Sequence, residues 1–389
     1  MPTYPTYKLS EVADILDSFR KPINSTERTK RIQGKKENEL YPYYGATGQV
    51  GLIDEFLTDG EFVLVGEDGA PFLEPFKNKS YIIRGKAWVN NHAHILSGKK
   101  DVLSNQYLNY FLNSFDYRNY VNGTTRLKLT QGNLTQIPIP LPTLSTQHKI
   151  VSRIETLFAE LDKAEERLRT AQQQLKTYKQ AVLNHWLNNE DGKWKTVKLG
   201  EVADMCLGKM LDKNKNKGTY QPYLRNVNVR WGSFDLDDLL EMKFEESEQD
   251  RYGIQIGDLI MCEGGEPGRC AIWNANVPNM KIQKALHRIR VRNMVYNKFV
   301  YCLFSLYAQN GYLEKYFTGT TIKHLTGQSL KSIEIPLPPI AEQQRIVQEI
   351  ESRLSQATAS ETYIENALQQ TEALRQSILK KAFSGEFDL

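Results

Sequence analysis

Two short polar segments, Gly123-Thr124-Thr125 and Gly319-Thr320-Thr321, combine residue types that suit the binding of a phosphate group. Threonine hydroxyls and backbone N–H groups donate hydrogen bonds to phosphate oxygens, and nearby cations add electrostatic attraction. Such cations flank both segments: Arg126 and Lys128 in the first, Lys323 and His324 in the second. Because each segment precedes a predicted short helix, we expect both to contact a nucleic-acid backbone. A turn that only shapes the fold is the alternative.

A second group of residues suits contacts with the edges of DNA bases. Arginine pairs with guanine and asparagine with adenine in the major groove, and tyrosine and threonine hydroxyls reach bases or phosphates. In the second half of the chain these residues alternate on a predicted strand beside Trp231. The candidates are Tyr43, Tyr44, Thr47, Asn90, Asn91, His92, Arg225, Asn226, Asn228 and Arg230. Aromatic packing at a domain edge and a solvated strand face remain the alternatives.

Residues for catalysis or metal binding are sparse. His92 and His94 share a predicted strand face, but two ligands without a third do not make a zinc site, and satisfied polar groups are the preferred interpretation. Paired acids among Glu67, Asp68 and Glu263, or a nuclease centre of Asp238 with residues 241–243, are weak alternatives because residues 235–248 are acidic and only weakly apolar. We expect these carboxylates to brace loops or to accept from cytosine amino groups. The sequence has no Gly-rich cofactor loop and no Walker loop. No catalytic residue, metal or cofactor is therefore predicted for this chain.

The chain is a repeat of itself. Residues 120–190 align without a gap with residues 316–386, at a constant offset of 196 and with roughly a third of positions identical. The clearest matches are the Gly-Thr-Thr segments, the proline-rich stretches that end the variable blocks, and Gln147 with Gln343. Between the shared blocks only islands agree, such as Glu-x-Gly-x-Pro at Glu67 and at Glu263. A repeated enzyme keeps its catalytic residues in at least one copy, whereas a repeated reader diverges where it reads, so the pattern favours reading.

The variable blocks have the pattern of short strands with one or two helices each. Apolar or alternating runs punctuated by Gly, Pro and Asn occur at residues 61–65, 80–83 and 258–261. Helical stretches run from Ser104 to Phe115 and from Asn297 to Asn310. The predicted fold class is α+β: two homologous domains, each a bent, loop-rich mixed sheet with helices.

The shared blocks have the pattern of long helices. Thr143 or Ser145 can cap the first, which carries an unbroken a/d seam at Ile150, Ile154, Leu157, Leu161, Ala164, Leu168, Ala171, Leu175, Tyr178 and Val182. In the second, Arg353, Ser360 and Thr371 interrupt a seam of Ile346, Ile350, Ala357, Ile364, Ala367, Leu374 and Ile378. We predict an antiparallel coiled coil with pseudo-twofold symmetry, a spacer roughly 60 Å long at about 1.5 Å per residue. The domains are then 1–142 and 191–339 for recognition, with spacer helices in 143–190 and 340–389.

Composition sets the remaining bounds. The 389 residues suffice for two or three cores, and the net charge of +4 with a pI near 8.6 is compatible with nucleic acid. Mean hydropathy of −0.52 and the lack of an apolar run near twenty residues exclude a spanning helix. The N-terminus lacks the pattern of a signal peptide. Because Cys206, Cys262, Cys270 and Cys302 lie far apart, we expect reduced thiols and a cytoplasmic protein.

Over its whole length the chain resembles the specificity (S) subunits of type I restriction–modification systems. In the first block the resemblance depends on residues 41–48, 60–69 and 90–94, and in the second on residues 223–229 and 257–261. The stretch Pro336 to Val347 is typical of the start of the family's conserved helices. The first copy departs from that motif at residues 140–147, although its downstream heptads are intact.

The resemblance implies a function and a set of partners. Each variable block would read one half of a split, asymmetric site in double-stranded DNA, and the helices would set the gap and dock two methyltransferase (M) subunits. Two motor–nuclease (R) subunits would join for cleavage. S-adenosylmethionine, ATP and Mg²⁺ would then belong to the partners. A self-contained methyltransferase or nuclease, and a coiled-coil scaffold that binds protein only, are the competing hypotheses.

Overall fold

The structure, a computed structural model, describes residues 4–189, 192–212 and 214–387. The chain divides into two compact units. One joins the chain up to Thr170 to the chain from Ile364 onward, and the other is Ala171–Tyr363. Two long helices, Leu144–Leu187 and Ile340–Ser384, each contribute one end to each unit. The first unit is therefore assembled from the two ends of the described chain.

The first unit is an α+β domain. Its strands are β1 (Thr6–Lys8), β2 (Ala13–Ile15), β3 (Tyr41–Gly45), β4 (Gly48–Ile53), β5 (Thr58–Gly66), β6 (Ser80–Val89), β7 (Ala93–Gly98) and β8 (Pro138–Pro140). Its helices are α1 (Leu9–Val12), α2 (Ser25–Ile32), α3 (Asn105–Ser114), α4 (Gln131–Thr135) and the first part of α5 (Leu144–Leu187). Six strands form a mixed sheet in the order β2-β7-β5-β6-β3-β4, with β3 parallel to β6 and the other pairs antiparallel; β1 pairs with β8.

The second unit repeats this plan with changes. Its strands are β9 (Lys195–Lys198), β10 (Ala203–Leu207), β11 (Thr219–Leu224), β12 (Val229–Arg230), β13 (Ser233–Phe234), β14 (Leu240–Phe244), β15 (Leu259–Cys262), β16 (Cys270–Ile272), β17 (Lys281–Ile282), β18 (Leu286–Val291) and β19 (Glu334–Leu337). Its helices are α6 (Leu199–Val202), α7 (Gln249–Tyr252), α8 (Asn297–Gln309), α9 (Gly327–Ser332) and the first part of α10 (Ile340–Ser384). The sheets are β10-β18-β15-β16, β14-β11-β17, β12-β13 and β19-β9. The α+β fold class is confirmed in both units.

Helices α3 and α8 confirm the two helices predicted within the variable blocks. In α3 the buried side chains, Tyr107, Leu108, Phe111 and Leu112, recur at intervals of three to four residues and so lie on one face. That face covers the sheet and contacts strands β5 and β6. Full burial of each such side chain contributes about 1.5–3 kcal/mol, which holds the sheet and its loops in place.

The long helices pair antiparallel, as predicted. Within the second unit, Lys179 of α5 contacts Glu361 of α10, whereas Trp186, farther along α5, lies beside Arg353 and Arg345. As the residue number rises along α5 it falls along α10. In the first unit, Phe383 near the end of α10 packs edge-on against Tyr107, with ring centres 5.1 Å apart.

The seam of α10 follows the predicted register at Ile346, Ile350, Ala357 and Ile364, which are buried, and departs from it farther along the helix. Arg353 and Ser360, predicted as interruptions, are exposed, but Leu374, placed in the seam by the apolar pattern, is also 49% exposed. Thr371, predicted as an interruption, is buried. Glu361 and Arg375 form ion pairs with α5, and each lies one position after a position of the predicted seam. Charged side chains occupy seam positions as ion pairs, and an apolar pattern does not detect them.

In α5, too, a charged residue lies in the seam in place of the predicted apolar one, within the second unit. Tyr178, predicted in the seam, is 42% exposed, while Lys179 pairs with Glu361. In the first unit Arg375 pairs with Asp162, lies 3.7 Å from Glu165 and stacks over Phe158. None of the helices in the described ranges combines the length and apolar content needed to cross a bilayer.

Candidate nucleic-acid interface

The Gly-Thr-Thr segments form closed loops of the same construction in both units. In the first unit, Asn122 and Lys128 exchange backbone hydrogen bonds of 2.9 and 2.8 Å across the loop. In the second, Thr318 and His324 exchange bonds of 2.8 and 2.9 Å. Each loop leads into a short helix, α4 or α9, whose N-terminus is capped by a threonine side chain. The predicted short helices after the loops are confirmed.

Glycine is required at the start of each loop. Gly123 has φ +102° and Gly319 has φ +89°, values that residues with a side chain rarely adopt. A Cβ at Gly123 would lie 2.5 Å from the Arg126 carbonyl oxygen, and one at Gly319 would lie 2.2 Å from that of Ile322. Both contacts are far inside van der Waals distance, so the close approach of the loop backbone depends on glycine in both copies.

The loop residues that follow these glycines face solvent. The exposed set comprises Thr124, Thr125, Arg126, Lys128, Thr320, Thr321, Lys323 and His324. In the first unit the cations are partly neutralised, because Arg126 lies 2.7 Å from Asp68 and Lys128 lies 2.9 Å from Glu67. In the second unit Lys323 has no carboxylate within ion-pair distance among the described residues. The two loops share a backbone but present different charge.

Glu67 anchors the loop of the first unit. Its backbone carbonyl accepts from the Leu129 N–H at 2.7 Å, and its carboxylate accepts from Arg20 at 2.5 Å. Burial raises the pKa of Glu67, but hydrogen bonds from Arg20 and Lys128 outweigh it and leave the pKa below its ordinary value. The second unit keeps the backbone bond, from Leu325 N–H to the Glu263 carbonyl at 2.7 Å. The expectation that acids brace loops is confirmed for the Glu67 carboxylate, whereas at Glu263 it is the backbone carbonyl that holds the loop.

An open groove borders the loop in each unit. In the first unit a groove of about 610 Å³ lies between Thr47, Gly69 and Pro71 on one side and Thr125 and Arg126 on the other. In the second unit a groove of about 490 Å³ is lined by the corresponding Gly265, Pro267, Thr321, Ile322 and Lys323. The repeat thus preserves a surface concavity as well as a loop. Sequence patterns did not indicate these grooves.

Two candidates of the first block are not at the surface. Tyr43 is 2% exposed and lies under the Arg28 guanidinium at 4.7 Å, so it belongs to the core. Asn90 is 7% exposed and accepts from the His92 N–H at 2.8 Å, which shapes the turn before β7. The prediction that Tyr43 and Asn90 contact DNA is wrong, because neither side chain is exposed to a ligand.

The other candidates of the first block keep some exposure. Thr47 is exposed in the β3–β4 turn, and Asn91 is exposed just before β7. Tyr44 is half-buried and its ring centre lies 5.9 Å from that of Tyr81. His92 is half-exposed and lies 2.7 Å from Asp68. Among these four residues, Thr47 is the one that lines the groove beside the Gly-Thr-Thr loop.

The second block does not form the predicted strand. β11 ends at Leu224, and a single 3-10 turn follows over Asn226–Asn228. Asn228 is 1% exposed, and its amide donates to the Asp235 and Asp238 carbonyls at 3.0 and 3.1 Å. Its role is structural, and it leaves the candidate set.

The neighbours of Asn228 are also engaged in the turn. Asn226 donates to the Gly264 carbonyl at 2.6 Å, and Arg225 donates to the Asp238 carboxylate at 2.6 Å. That ion pair occupies the acid considered above for a nuclease centre. Arg230 is exposed and lies 3.4 Å from Asp235. Of the four polar residues, Arg230 is the exposed one whose partner is also exposed, since its ion pair with Asp235 is long and lies at the surface.

Two buried histidines have the same structural role, and only one was singled out from the sequence. His94 lies 2.9 Å from the Leu129 carbonyl oxygen and 2.6 Å from Asp17. His287 lies 2.8 Å from the Leu325 carbonyl oxygen. Each ring is hydrogen-bonded to the segment that joins a Gly-Thr-Thr loop to the short helix after it. A sequence alignment of β7 with β18 matches Ala-His-Ile with Leu-His-Arg. This match is the signal in the sequence that indicates His287.

The two histidines of the first block do not share a site. His92 precedes β7 and bonds to Asp68, while His94 lies within β7 and bonds to Asp17. Within the described part of the chain no three His, Cys, Asp or Glu side chains are grouped as metal ligands. Histidine in these blocks serves hydrogen bonding.

Known proteins place this chain in a family. A family model described as the type I restriction modification DNA specificity domain matches residues 2–171 and again residues 191–370. A putative type I restriction enzyme specificity subunit of Haemophilus influenzae is 30% identical over 87% of this chain and 84% of its own length. The EcoKI specificity subunit of Escherichia coli is 26% identical over 72% of this chain and 65% of its own length.

Solved structures share the fold. A chain from a study of complex assembly and conformational transition of the type I R-M system aligns with a TM-score of 0.76, at 18% identity, over 100% of this chain and 99% of its own. The HsdS subunit from Thermoanaerobacter tengcongensis aligns with a TM-score of 0.58, at 17% identity, over 100% of this chain and 98% of its own. Since the family model covers most of the chain in two copies, the chain belongs to the family of type I restriction–modification DNA specificity subunits.

Proposed function

We propose that each unit reads one half of an asymmetric, bipartite site in double-stranded DNA and that the chain has no catalytic centre of its own. The observation that carries this proposal is the Gly-Thr-Thr loop, exposed and identically closed in both units beside a groove. A phosphate contact should be common to both readers, because it sets position without reading sequence. Thr124, Thr125, Thr320 and Thr321 are the proposed phosphate contacts, with Lys128 and Lys323 adding charge.

The elements beside the loops differ between the units, which supports different half-sites. In the first, β3 and β4 are joined by a two-residue turn that contains Thr47. In the second, the equivalent strands β11 and β14 are joined by residues 225–239, which include the β12–β13 ribbon and Arg230. Readers with different contact elements recognise different sequences. The target is therefore proposed to be non-palindromic.

The spacer helices are proposed to set the gap. Two modules that bind one face of B-DNA lie about one helical turn, roughly 10 base pairs, apart. If each reads three to five base pairs, the unread gap is about five to eight base pairs. The α5–α10 pairing within each unit supports a spacer whose length is fixed by helix packing.

The partners and cofactors follow from the family. We propose that the helices dock two methyltransferase subunits and that two motor–nuclease subunits join for cleavage. S-adenosylmethionine, ATP and Mg²⁺ are then bound by those partners. Four unpaired cysteines support a cytosolic location, where thiols stay reduced.

Methylation mapping tests the proposal. The full chain, alone and with its methyltransferase partner, is mixed with labelled methyl donor and random-sequence DNA, and the methylated sites are sequenced. A bipartite motif that appears only with the partner is expected. Methylation by the chain alone would show a catalytic centre in this chain and overturn the proposal.

A block exchange tests the assignment of one unit to one half-site. Residues 16–120 are replaced by the equivalent block of another family member, which leaves both spacer helices unchanged. Only one half of the methylated motif should change. A change in both halves would contradict the assignment.

A further inference from the structure

Helix α2 lies on the surface of the first unit and buries none of its side chains. It has eight residues, and an isolated helix of this length is not stable in water. It begins at Asn24, whose side chain accepts from the Glu27 N–H at 2.8 Å. Its persistence as a helix must come from contacts along one face.

Those contacts are made by two arginines. The Arg28 guanidinium lies 4.7 Å from the centre of the Tyr43 ring, and that of Arg31 lies 5.0 Å from the Trp88 ring. Arg31 also donates to Asp54 at 2.6 Å. Hydrogen bonds to Glu55 and then to Asp54 raise the pKa of Arg31, and hydrogen bonds from Lys35 and then from Arg31 lower the pKa of Asp54. Stacking on rings of β3 and β6 and ion pairing just after β4 hold the helix beside β4, the edge strand of the sheet.

The opposite face of α2 is free and polar. At 100° per residue, Thr26, Thr29 and Lys30 fall on one side, while Arg28 and Arg31 fall on the other. The first three are exposed. Lys30 has no carboxylate within ion-pair distance in the described ranges. A helix anchored by its cations on one side therefore presents two threonine methyl groups, the Thr26 hydroxyl and the Lys30 ammonium on the other, while the Thr29 hydroxyl donates to the Ser25 carbonyl at 2.9 Å.

The segment around α2 is the most concentrated positive charge in this unit's variable block. Residues 20–36 contain seven Lys and Arg and one carboxylate, a net charge of +6, whereas the whole chain carries +4. Three of these cations are ion-paired: Arg20, Arg31 and Lys35. The remaining charge complements a polyanion.

Helix α2 and the groove beside the Gly-Thr-Thr loop lie along the same strand, β4, and its turn. A Cβ at Gly51 in β4 would lie 3.5 Å from the Arg28 guanidinium carbon, so the helix lies alongside residue 51. Thr47, at the turn that borders the groove with the Gly-Thr-Thr loop, is four residues away, or about 13 Å along the strand. The major groove is about 12 Å wide and admits a helix.

The described residues of the second unit include no counterpart of α2. Between β10 and β11, residues 208–212 and 214–218 contain no helix. An element present in one copy of a repeat and absent from the other is not needed for the shared framework. It is available for what distinguishes the copies.

Building on the proposed function, we propose that α2 enters the major groove of the first half-site and that Thr26, Thr29 and Lys30 contact base edges there. Lysine donates to guanine O6 and N7, and threonine methyl groups contact the methyl of thymine. The Gly-Thr-Thr loop of the same unit holds the adjacent phosphate.

The test uses the full chain assembled with its methyltransferase partner. The variants are Lys30→Ala and Thr26→Ala, with Lys100→Ala as the matched control, since Lys100 is an exposed lysine in a turn of the same unit. Lys30→Ala should weaken binding to the specific site about tenfold, as expected for one lost base contact. Sequenced methylation sites should lose preference at one or two positions of one half-site, with the other half unchanged. The thermal midpoint should match wild type because these side chains are exposed.

The possible outcomes separate the inference from the function on which it rests. If both variants methylate the wild-type motif with unchanged preference, α2 does not read bases and the inference is wrong. Equal weakening at every sequence would mean a phosphate contact and would also overturn it. Weakened complex assembly with an unchanged motif would mean that α2 contacts a protein partner, and this too would overturn the inference. A wild-type complex without any bipartite motif would instead overturn the proposed function.

Discussion

The side-chain amide of Gln147 makes the same three backbone hydrogen bonds in the first unit that Gln343 makes in the second. Each accepts from the backbone N–H of the residue that caps a helix, Ser104 before α3 at 2.9 Å and Tyr296 before α8 at 2.8 Å. Each amide also donates to two backbone carbonyls: those of Val102 and Pro142, or those of Met294 and Pro338. Both glutamines are fully buried. One amide in each unit thus joins the recognition domain to the first turn of a spacer helix.

Gln147→Ala should destabilise the first unit by about 2–4 kcal/mol, because it leaves one buried donor and two buried acceptors without partners. Denaturant unfolding followed by near-ultraviolet circular dichroism measures the change. Gln174→Ala, on an exposed face of α5, is the control and should change stability by less than about 0.5 kcal/mol. Equal midpoints for both variants would show that the amide has no structural role.

Gly123→Ala should distort the first Gly-Thr-Thr loop, since the new methyl group would lie 2.5 Å from a backbone oxygen. We expect specific DNA binding by the assembled complex to fall about tenfold or more, because the phosphate contact loses its geometry. Gly85→Ala is the matched control: its φ is +76°, but no atom lies within 4 Å of the added carbon. An unchanged affinity for Gly123→Ala would remove the loop from the interface.

Lys323→Ala should weaken DNA binding uniformly across sequences, because a phosphate contact carries no base information. The slope of log K against log salt concentration should decrease in magnitude by about 0.9 for one lost phosphate contact. Lys380→Ala removes the same charge from an exposed position of α10 and should leave the slope unchanged. Identical slopes for the two variants would contradict a phosphate contact at Lys323.

His287 should make stability depend on pH. Burial holds the pKa of its imidazole below the ordinary value, so the unfolded chain binds more protons than the folded chain between the two pKa values. The neutral imidazole therefore contributes its full share to the free energy of unfolding above about pH 6.5. That share is lost as the pH falls toward the folded pKa, by at most about 1.4 kcal/mol per pH unit. The drop in unfolding midpoint from pH 7.5 to pH 5.5 should be smaller in His287→Gln. His148→Gln, at an exposed position, should retain the wild-type drop.

The charged seam pair of the second unit should show coupling in a double-mutant cycle. Lys179 and Glu361 are 25% and 30% exposed, so each single reversal places like charges together in a partly shielded contact. Lys179→Glu and Glu361→Lys should each lower stability, and the double variant should recover about 0.5–1 kcal/mol of the combined loss. Strictly additive losses would show that the pair does not interact.

The sequence predicted the fold correctly where a local pattern of residues occurs in both copies of the repeat. Helices α3 and α8 each have an apolar face of helical period, and the repeat at an offset of 196 doubles the support for every shared element. The loops at Gly123 and Gly319 were found because glycine and threonine recur with flanking cations. Such features depend on residues close together in the chain, which a sequence displays directly.

The errors arose where distant partners decide the outcome. Asn228 is buried because two carbonyls ten residues or fewer away turn back to meet its amide, and the alternation of residues 225–230 gave no sign of that turn. Tyr43 is buried because Arg28, on a separate helix, covers its ring. Arg375 occupies a coiled-coil seam because Asp162 on the other helix pairs with it. In each case the compensating group lies elsewhere in the sequence.

The packing of Phe383 against Tyr107 and Phe111 imposes an order on biosynthesis. The first unit lacks its last core residues until the ribosome has translated the whole second unit, roughly 190 residues later, which takes about 10–40 s at 5–20 residues per second. During that interval α3 exposes aromatic side chains, and chaperones are expected to bind them. A nascent chain released early would keep this defect and be open to proteolysis. Quality control would thus remove truncated products that could otherwise present one reader without the other.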